Sequence, residues 1–242
     1  MDSFEREALA KTIKADIDAY CSAKSDSGNR RHLGASVIGD ECARKLWYAF
    51  RWIGKEEVGG RMARLYERGH LTEPRMIDWL RGIGAMVHDL DTSGKQFRMG
   101  AHGDHFGGSL DSVIELPPRY HVPYPILGEY KSSNDSNFQK MVKGGVKKTK
   151  PQHFTQMCMY GVHWNLPYCL YMVLNKNDDD LYVEIVEIDR AHGEMYLAKA
   201  REIIYAQDPP SRLSESSTFY KCKSCHFAAQ CFYGAPTEHN CR

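Results

Sequence analysis

Apolar positions along this chain change their rhythm several times, and each change marks an element. Residues Phe4 to Ser22 carry a helical pattern, and the polar stretch Ala23 to Arg31 reads as a loop. Ser36 is placed to cap a helix running through Cys42 to Trp52, with Val37, Leu46 and Phe50 as its buried positions. Gly59-Gly60 breaks the chain, and a long helix is expected from about Met62 to Leu80, ending near Gly82-Ile83-Gly84. Strands follow at Met86 to Leu90, Lys95 to Met99, Gly107 to Leu116 and Ile126 to Ser132. Between the last two, Pro117-Pro118 and Pro123-Tyr124-Pro125 stiffen the connection. Phe138 to Lys150 is lysine-rich and interrupted by glycine. Pro151 to His163 reads as a helix, Tyr168 to Asn175 and Leu181 to Ile188 as strands joined by a polar turn, and Arg190 to about Ala206 as a helix stopped by Pro209-Pro210. After Ser211 the periodicity fades and cysteines take over. Strands alternating with helices predict an α/β fold.

The Ile126 strand contains the most telling interruption. Side chains alternate along a strand, so Glu129 and Lys131 share one face and Tyr130 points to the other. Upstream, Gly107-Gly108-Ser109-Leu110-Asp111 ends an apolar stretch on an isolated carboxylate. If the two strands pair, Asp111 joins Glu129 and Lys131 at one spot. Glu-x-Lys alone is usually a solvated cross-strand pair. Here both carboxylates sit inside apolar runs, where an unpaired charge is expensive, and that favours a site. Two carboxylates can hold Mg²⁺ or Mn²⁺, and a lysine beside them can orient water or neutralise a developing negative charge. That chemistry suits phosphodiester hydrolysis.

Composition adds limits. The 242 residues suffice for one large domain with appendages. A formal net charge of +1 gives no global attraction for nucleic acid, so any such binding needs a local basic patch. Lys140, Lys143, Lys147, Lys148 and Lys150 supply one candidate, a DNA-binding surface made mobile by Gly144-Gly145, or simply a solvated loop. No apolar run reaches membrane-spanning length, and the N-terminus lacks a signal-peptide layout, so a cytoplasmic protein without membrane contact is expected.

Eight cysteines in a reducing compartment point to metal binding where they cluster rather than to disulfides. Cys222, Cys225 and Cys231 spell C-x₂-C-x₅-C, a spacing that can hold a metal or cluster. A fourth ligand has two candidates: Cys241, close in sequence, or Cys42, far upstream, which would staple the N-terminal region to the tail. Cys21, Cys158 and Cys169 read as core thiols.

Together these residues resemble the RecB-like branch of the PD-(D/E)XK nuclease superfamily, above all its iron–sulfur members. Those include the AddB nuclease domain, the eukaryotic replication helicase–nuclease and the small nucleases of CRISPR adaptation; phage recombination exonucleases are also similar. The resemblance spans roughly Ser36 to Cys231, on motifs that are individually loose and jointly specific. Cys42-Ala43-Arg44-Lys45-Leu46-Trp47 with Cys222, Cys225 and Cys231 matches the branch's cysteine pattern, which implies a [4Fe–4S] cluster on those four cysteines. Cys241 is not required by the pattern and keeps Zn²⁺ as the alternative. Gly69 to Glu73 matches the Gly-x₃-Glu motif, with His70 as a bystander or a DNA-facing residue. Gln156 and Tyr160 match Q-x₃-Y, and their i, i+4 spacing puts both on one helical face.

The implied fold is a restriction-endonuclease-like mixed central sheet flanked by helices. It would comprise an N-terminal helix and loop (1–35), a nuclease core (36–210) and a cysteine-rich tail (211–242) packing back near Cys42. The implied activity is Mg²⁺- or Mn²⁺-dependent DNA cleavage, most simply by an exonuclease of recombination, repair or replication. Asp111 and Glu129 would hold the metal, Glu73 and the Tyr130 carbonyl would complete its shell, and Lys131 would position the attacking water. The alternatives are a structure-specific endonuclease and a non-catalytic DNA-binding module of the same fold. A helicase or annealing partner would be a separate chain.

Overall fold

A computed structural model describes residues 1–25, 30–54 and 58–234. Helix α1 (Ser3–Lys24) opens with a capping box: the Asp2 carboxylate accepts from the Glu5 amide at 2.8 Å while the Asp2 amide donates back to Glu5 at 2.7 Å. It packs on α3 (Gly60–Gly82), where Arg64 pairs with Asp18 at 2.7 Å. Short strand β1 (Leu33–Gly34) and helix α2 (Ala43–Phe50) lie between them in sequence. Strands β2 (Met86–His88), β3 (Arg98–Ala101), β4 (Phe106–Ser109), β5 (Ser112–Glu115) and β6 (Ile126–Ser133) follow. The chain continues through α4 (Asp135–Thr149), α5 (Pro151–Trp164), β7 (Tyr168–Asn175), β8 (Leu181–Glu187) and α6 (Arg190–Tyr205), and ends in short helices α7 (Tyr220–Lys223) and α8 (Ala228–Tyr233).

Two mixed sheets form. The larger runs β2-β5-β6-β7-β8, with β6 and β7 parallel and the other neighbours antiparallel. The smaller runs β1-β4-β3. Alternation along β6 divides the core into two layers. Ile126 and Tyr130 pack with Met76, Ile77 and Leu80 of α3, along with Leu170, Met172 and Leu174 of β7. Leu127 faces the opposite way, into a cluster with Met157 and Cys158 of α5 and with Ile203 and Ile204 of α6. The sheet is therefore sandwiched between α3 on one side and α5 with α6 on the other, the arrangement that a buried parallel β6–β7 pair requires.

The five-stranded sheet is the expected mixed central sheet flanked by helices, and a three-stranded sheet forms as well. Three expectations need correction. The expected strand Gly107 to Leu116 breaks at Leu110-Asp111, with β4 in one sheet and β5 in the other. Leu110 is fully buried and donates its amide to the Phe97 carbonyl at 2.9 Å, while the Asp111 side chain takes the Tyr130 amide, so the backbone turns at this point. Ser36 does not cap α2: residues 35–39 form turns, Val37 is 43% exposed, and Cys42 is the N-cap, its sulfur accepting from the Lys45 amide at 3.4 Å. The lysine-rich segment is helical rather than a loop, kinked at Gly145, whose φ of 70° suits a residue without a Cβ. There the Val146 amide donates to Glu184 at 2.9 Å, which satisfies the group the kink releases.

Candidate active site

β5 and β6 run antiparallel with Ser112 opposite Gly128, which carries Asp111 alongside the middle of β6. One Asp111 oxygen accepts the Tyr130 backbone amide at 2.8 Å. Glu129 and Lys131 lie on the Leu127 face, towards α5, and Tyr130 points the other way to bond Ser112 at 2.5 Å. The Lys131 ammonium touches a Glu129 oxygen and stands 3.8 Å from Asp111. Glu129 is 1% exposed; one of its oxygens meets the Lys131 ammonium, its sole charge partner among the described residues, and the other has no hydrogen-bond partner. The Lys131 side chain remains 28% exposed, and its ammonium also donates to the Tyr130 carbonyl at 3.1 Å.

Glu73 approaches from α3, where the Gln96 side-chain amide donates to it at 2.9 Å. Pro74 directly follows it and lacks the N–H that would bond the His70 carbonyl, which loosens the helix beside the acid. Burial raises the Glu73 carboxyl to about 7, with the Asp111 charge adding to the effect and Lys131 opposing it. Burial also pushes Glu129 up; Lys131 pulls it down, and Asp111 and Glu73 reinforce the rise. For Lys131, burial disfavours the charge, but Glu129 and Asp111 outweigh it and hold the ammonium well above the usual lysine range. Three carboxylates thus feel one another's charge around one lysine, without closing into a ready-made ion cage among the described residues. Their hard oxygens suit Mg²⁺ or Mn²⁺ better than a soft metal. The unpartnered Glu129 oxygen is what such a cation would satisfy.

Gln156 and Tyr160 are buried on α5, their side chains 3.5 Å apart. Burial raises the Tyr160 hydroxyl, and the Glu129 charge adds to it, which places that ring near the carboxylates. His70 is exposed on α3. The lysines of α4 divide. Lys147 pairs with Asp189 at 3.4 Å and lies over the Phe154 ring, whereas Lys150 lines the hollow beside Lys131. Lys140, Lys143 and Lys148 are exposed. Sequence reasoning did not single out His153, Tyr171 or Lys176, which join Lys131 in that hollow. A lone histidine or tyrosine within an apolar segment gives no local signal of its neighbours across the sheet.

The cysteine-bearing tail lies against α2. Arg44 donates to the Pro209 and Pro210 carbonyls, Trp47 and Arg51 donate to the Ala206 carbonyl, Lys221 pairs with Glu41 at 2.6 Å, and the Tyr48 and Phe227 rings sit 5.6 Å apart. Cys222 and Cys225 are each raised first by burial and then by the charges of Cys42 and Cys231. Cys222 and Cys225 each feel the charges of Cys42 and Cys231, and the four would make a soft donor set compatible with iron–sulfur or zinc. Among the described residues no three His, Cys, Asp or Glu side chains form a ready-made ion cage. Cys241 lies outside the described residues.

No known protein-family model matches this sequence, and no curated protein matches it. Solved structures do. LHK-Exo in complex with dAMP superposes with a TM-score of 0.52 at 16% identity, over 78% of this chain and 90% of that one. The chain shares the LHK-Exo fold. A second structure of LHK-Exo, an alkaline exonuclease from Laribacter hongkongensis, gives 0.48 at 19% identity over 78% and 94% of the two chains. The protein SSO0001 gives 0.49 at 15% identity over 90% and 96%. At these identities the likeness to LHK-Exo concerns the fold. No helix among the described residues is long and apolar enough to cross a membrane.

Proposed function

We propose that this chain is a Mg²⁺- or Mn²⁺-dependent DNA nuclease of the PD-(D/E)XK type, acting as an exonuclease. The observation that carries this reading is the buried carboxylate of Glu129, one oxygen on the Lys131 ammonium and the other unpartnered, beside Asp111. Burying a charge so poorly satisfied costs stability, and such costs are tolerated where function needs them. The shared fold with an alkaline exonuclease supports the same reading.

Glu73, Asp111, Glu129 and the Tyr130 carbonyl would hold the cation. When bound, it would lower the pKa of water and stabilise charge on the phosphate. Lys131, partly exposed and held charged by its two carboxylate neighbours, would orient the attacking water and offset the negative charge that develops on the phosphate oxygens. Gln156 and Tyr160 would bound the site from α5. Lys150, with the more distant Lys140, Lys143, Lys147 and Lys148, would bind backbone phosphates by releasing counterions.

Cys42, Cys222, Cys225 and Cys231 would hold a [4Fe–4S] cluster that joins the tail to α2. A recombination, repair or replication role and a cytoplasmic setting fit this reading, with any helicase or annealing protein as a separate partner. The test is cleavage of linear DNA against end-blocked circles with Mg²⁺ or Mn²⁺. Degradation confined to free ends, lost in Lys131→Ala and stopped by EDTA, is expected. Cutting of closed circles would make it an endonuclease, and chelator-resistant cleavage would defeat the metal mechanism.

A further inference from the structure

A hollow of about 230 Å³ opens beside Lys131, between the end of β6, the start of α4 and the start of α5. Its walls bring Lys131, Lys150 and Lys176 together with Asn134, Asn137 and His153. Glu129 and Asp111 balance Lys131. Among the described residues, no carboxylate lies within ion-pair distance of Lys150 or Lys176. Burial lowers both ammonium groups, with the charge of Lys140 adding to it at Lys150 and that of Arg68 at Lys176. Two ammonium groups without counter-charge, converging on one recess, favour an anion.

His153 strengthens that reading. Its Nδ1 lies 2.6 Å from the Tyr171 hydroxyl, whose own proton burial holds in place. Burial, with Lys131 and Lys150 adding, holds the imidazole down to about 3, so it is neutral. An imidazole nitrogen is a far better acceptor than the Met141 sulfur, the other partner of that hydroxyl at 3.7 Å. Tyr171 therefore donates to Nδ1, which leaves Nε2 carrying a hydrogen for the recess. The lining is cationic and hydrogen-bond donating, with three lysines around it, so it fits phosphate. A larger hollow of about 470 Å³ along α6, by Ala198, Arg201, Glu202 and Tyr205, gathers no such charge.

We propose that this recess is a phosphate subsite that grips the backbone phosphate next to the one being cleaved, with Lys150, Lys176 and His153 Nε2 as its donors. This rests on the nuclease reading, because Lys131 lines the same recess and fixes how near the scissile phosphate lies. Its role would be to set the register of the strand against Lys131.

The test is binding of a single-stranded hexanucleotide in Ca²⁺, with each phosphate in turn replaced by an uncharged methylphosphonate. In the wild type, one position beside the scissile phosphate should weaken binding about fivefold to tenfold, the size of a lost charge-assisted contact or two. In Lys150→Gln/Lys176→Gln the unmodified strand should bind that much more weakly, and the methylphosphonate at that position should cost nothing further. His153→Gln, which keeps a donor, should retain the positional penalty, while His153→Phe should reduce it. An unchanged penalty map in the folded lysine double variant, or no binding of the strand by the wild type, overturns the subsite. Cleavage of linear DNA in Mn²⁺ is scored separately. A wild type that cleaves with a map indifferent to both lysines sinks only the subsite, and one that binds with the expected map without cleaving sinks only the nuclease reading.

Discussion

Asp111 accepts the backbone amide of Tyr130 at 2.8 Å, so the acid that would bind a metal also locks the strand that carries the other two site residues. The bond sits where the chain leaves the small sheet for the large one, and it holds Glu129 and Lys131 on either side of the Asp111 carboxylate. Asp111→Ala should therefore fail twice. It orphans a buried amide and removes a counter-charge from Lys131, which should cost about 1–3 kcal/mol of stability. Asp111→Asn keeps an acceptor oxygen and should recover most of that loss, measured by urea unfolding. Both should lose cleavage by about 10²-fold or more, because the ligand charge is gone in each. An Asp111→Asn enzyme that turns over normally would remove Asp111 from the chemistry.

The carboxylates also predict a pH dependence. Glu73, at about 7, and Glu129 are raised above their ordinary value of 4.5, so the metal-free folded protein holds protons that the unfolded chain releases. Their contribution is therefore most favourable below pH 4.5 and is lost as pH climbs through 7. His153 works in the opposite sense: depressed from 6.5 to about 3, it destabilises the fold as pH falls below 6.5 and is silent above it. Above pH 6.5 the His153 contribution fades and that of the two carboxylates remains. If the proposed cation binds there it would replace their protons, so Mn²⁺ should raise Tm more at pH 8 than at pH 6.5, and Glu73→Gln should shrink that difference. A Mn²⁺ shift independent of pH in both proteins would mean the cation binds elsewhere.

Gly108 and Tyr160 predict a packing effect readable without any assay of function. A Cβ on Gly108 would stand 2.3 Å from the Tyr160 hydroxyl and 3.0 Å from the Ala35 side chain, distances that force movement. Gly108→Ala should cost about 1–3 kcal/mol through overpacking. Tyr160→Phe removes the hydroxyl that is struck first, so the double variant should recover part of the loss. Additive penalties in thermal or urea unfolding would show that the two residues do not meet.

How far the sequence discloses this arrangement depends on whether the cause is local. The alternation that puts Glu129 and Lys131 on one face of β6 is a backbone property, readable from spacing alone. The i, i+4 pair Gln156–Tyr160 is readable for the same reason. The break at Leu110-Asp111 is not, because what stops the strand is a bond from Tyr130, nineteen residues away. Cys42 as the N-cap of α2 was hidden by Ser36, a better capper by type that turns before the helix begins. The recess by Lys131 draws on α4, α5, β6, β7 and Lys176 at once, and no window of sequence contains that combination.

The cysteines allow a test that leaves the proposed nuclease site untouched. Cys42 caps α2, while Cys222, Cys225 and Cys231 come from a tail held to that helix by Arg44, Trp47 and Arg51. If a [4Fe–4S] cluster joins them, anaerobically purified protein should be brown, absorb broadly near the visible blue, and contain about four irons per chain. Cys42→Ser should bleach it and lower Tm, because the clamp between the tail and α2 is lost. Cys158→Ser is the control: that thiol is fully buried beneath α6, so it should lose stability by placing a hydroxyl in the core yet keep the colour. Zinc predicts a colourless protein with stoichiometric zinc that depends on Cys241 and is indifferent to Cys42. Aerobic handling can strip a cluster and let zinc take its thiolates, so only anaerobic material decides. Colourless anaerobic protein in which Cys42→Ser changes neither metal content nor Tm would refute the cluster and leave Asp111, Glu129 and Lys131 as they stand.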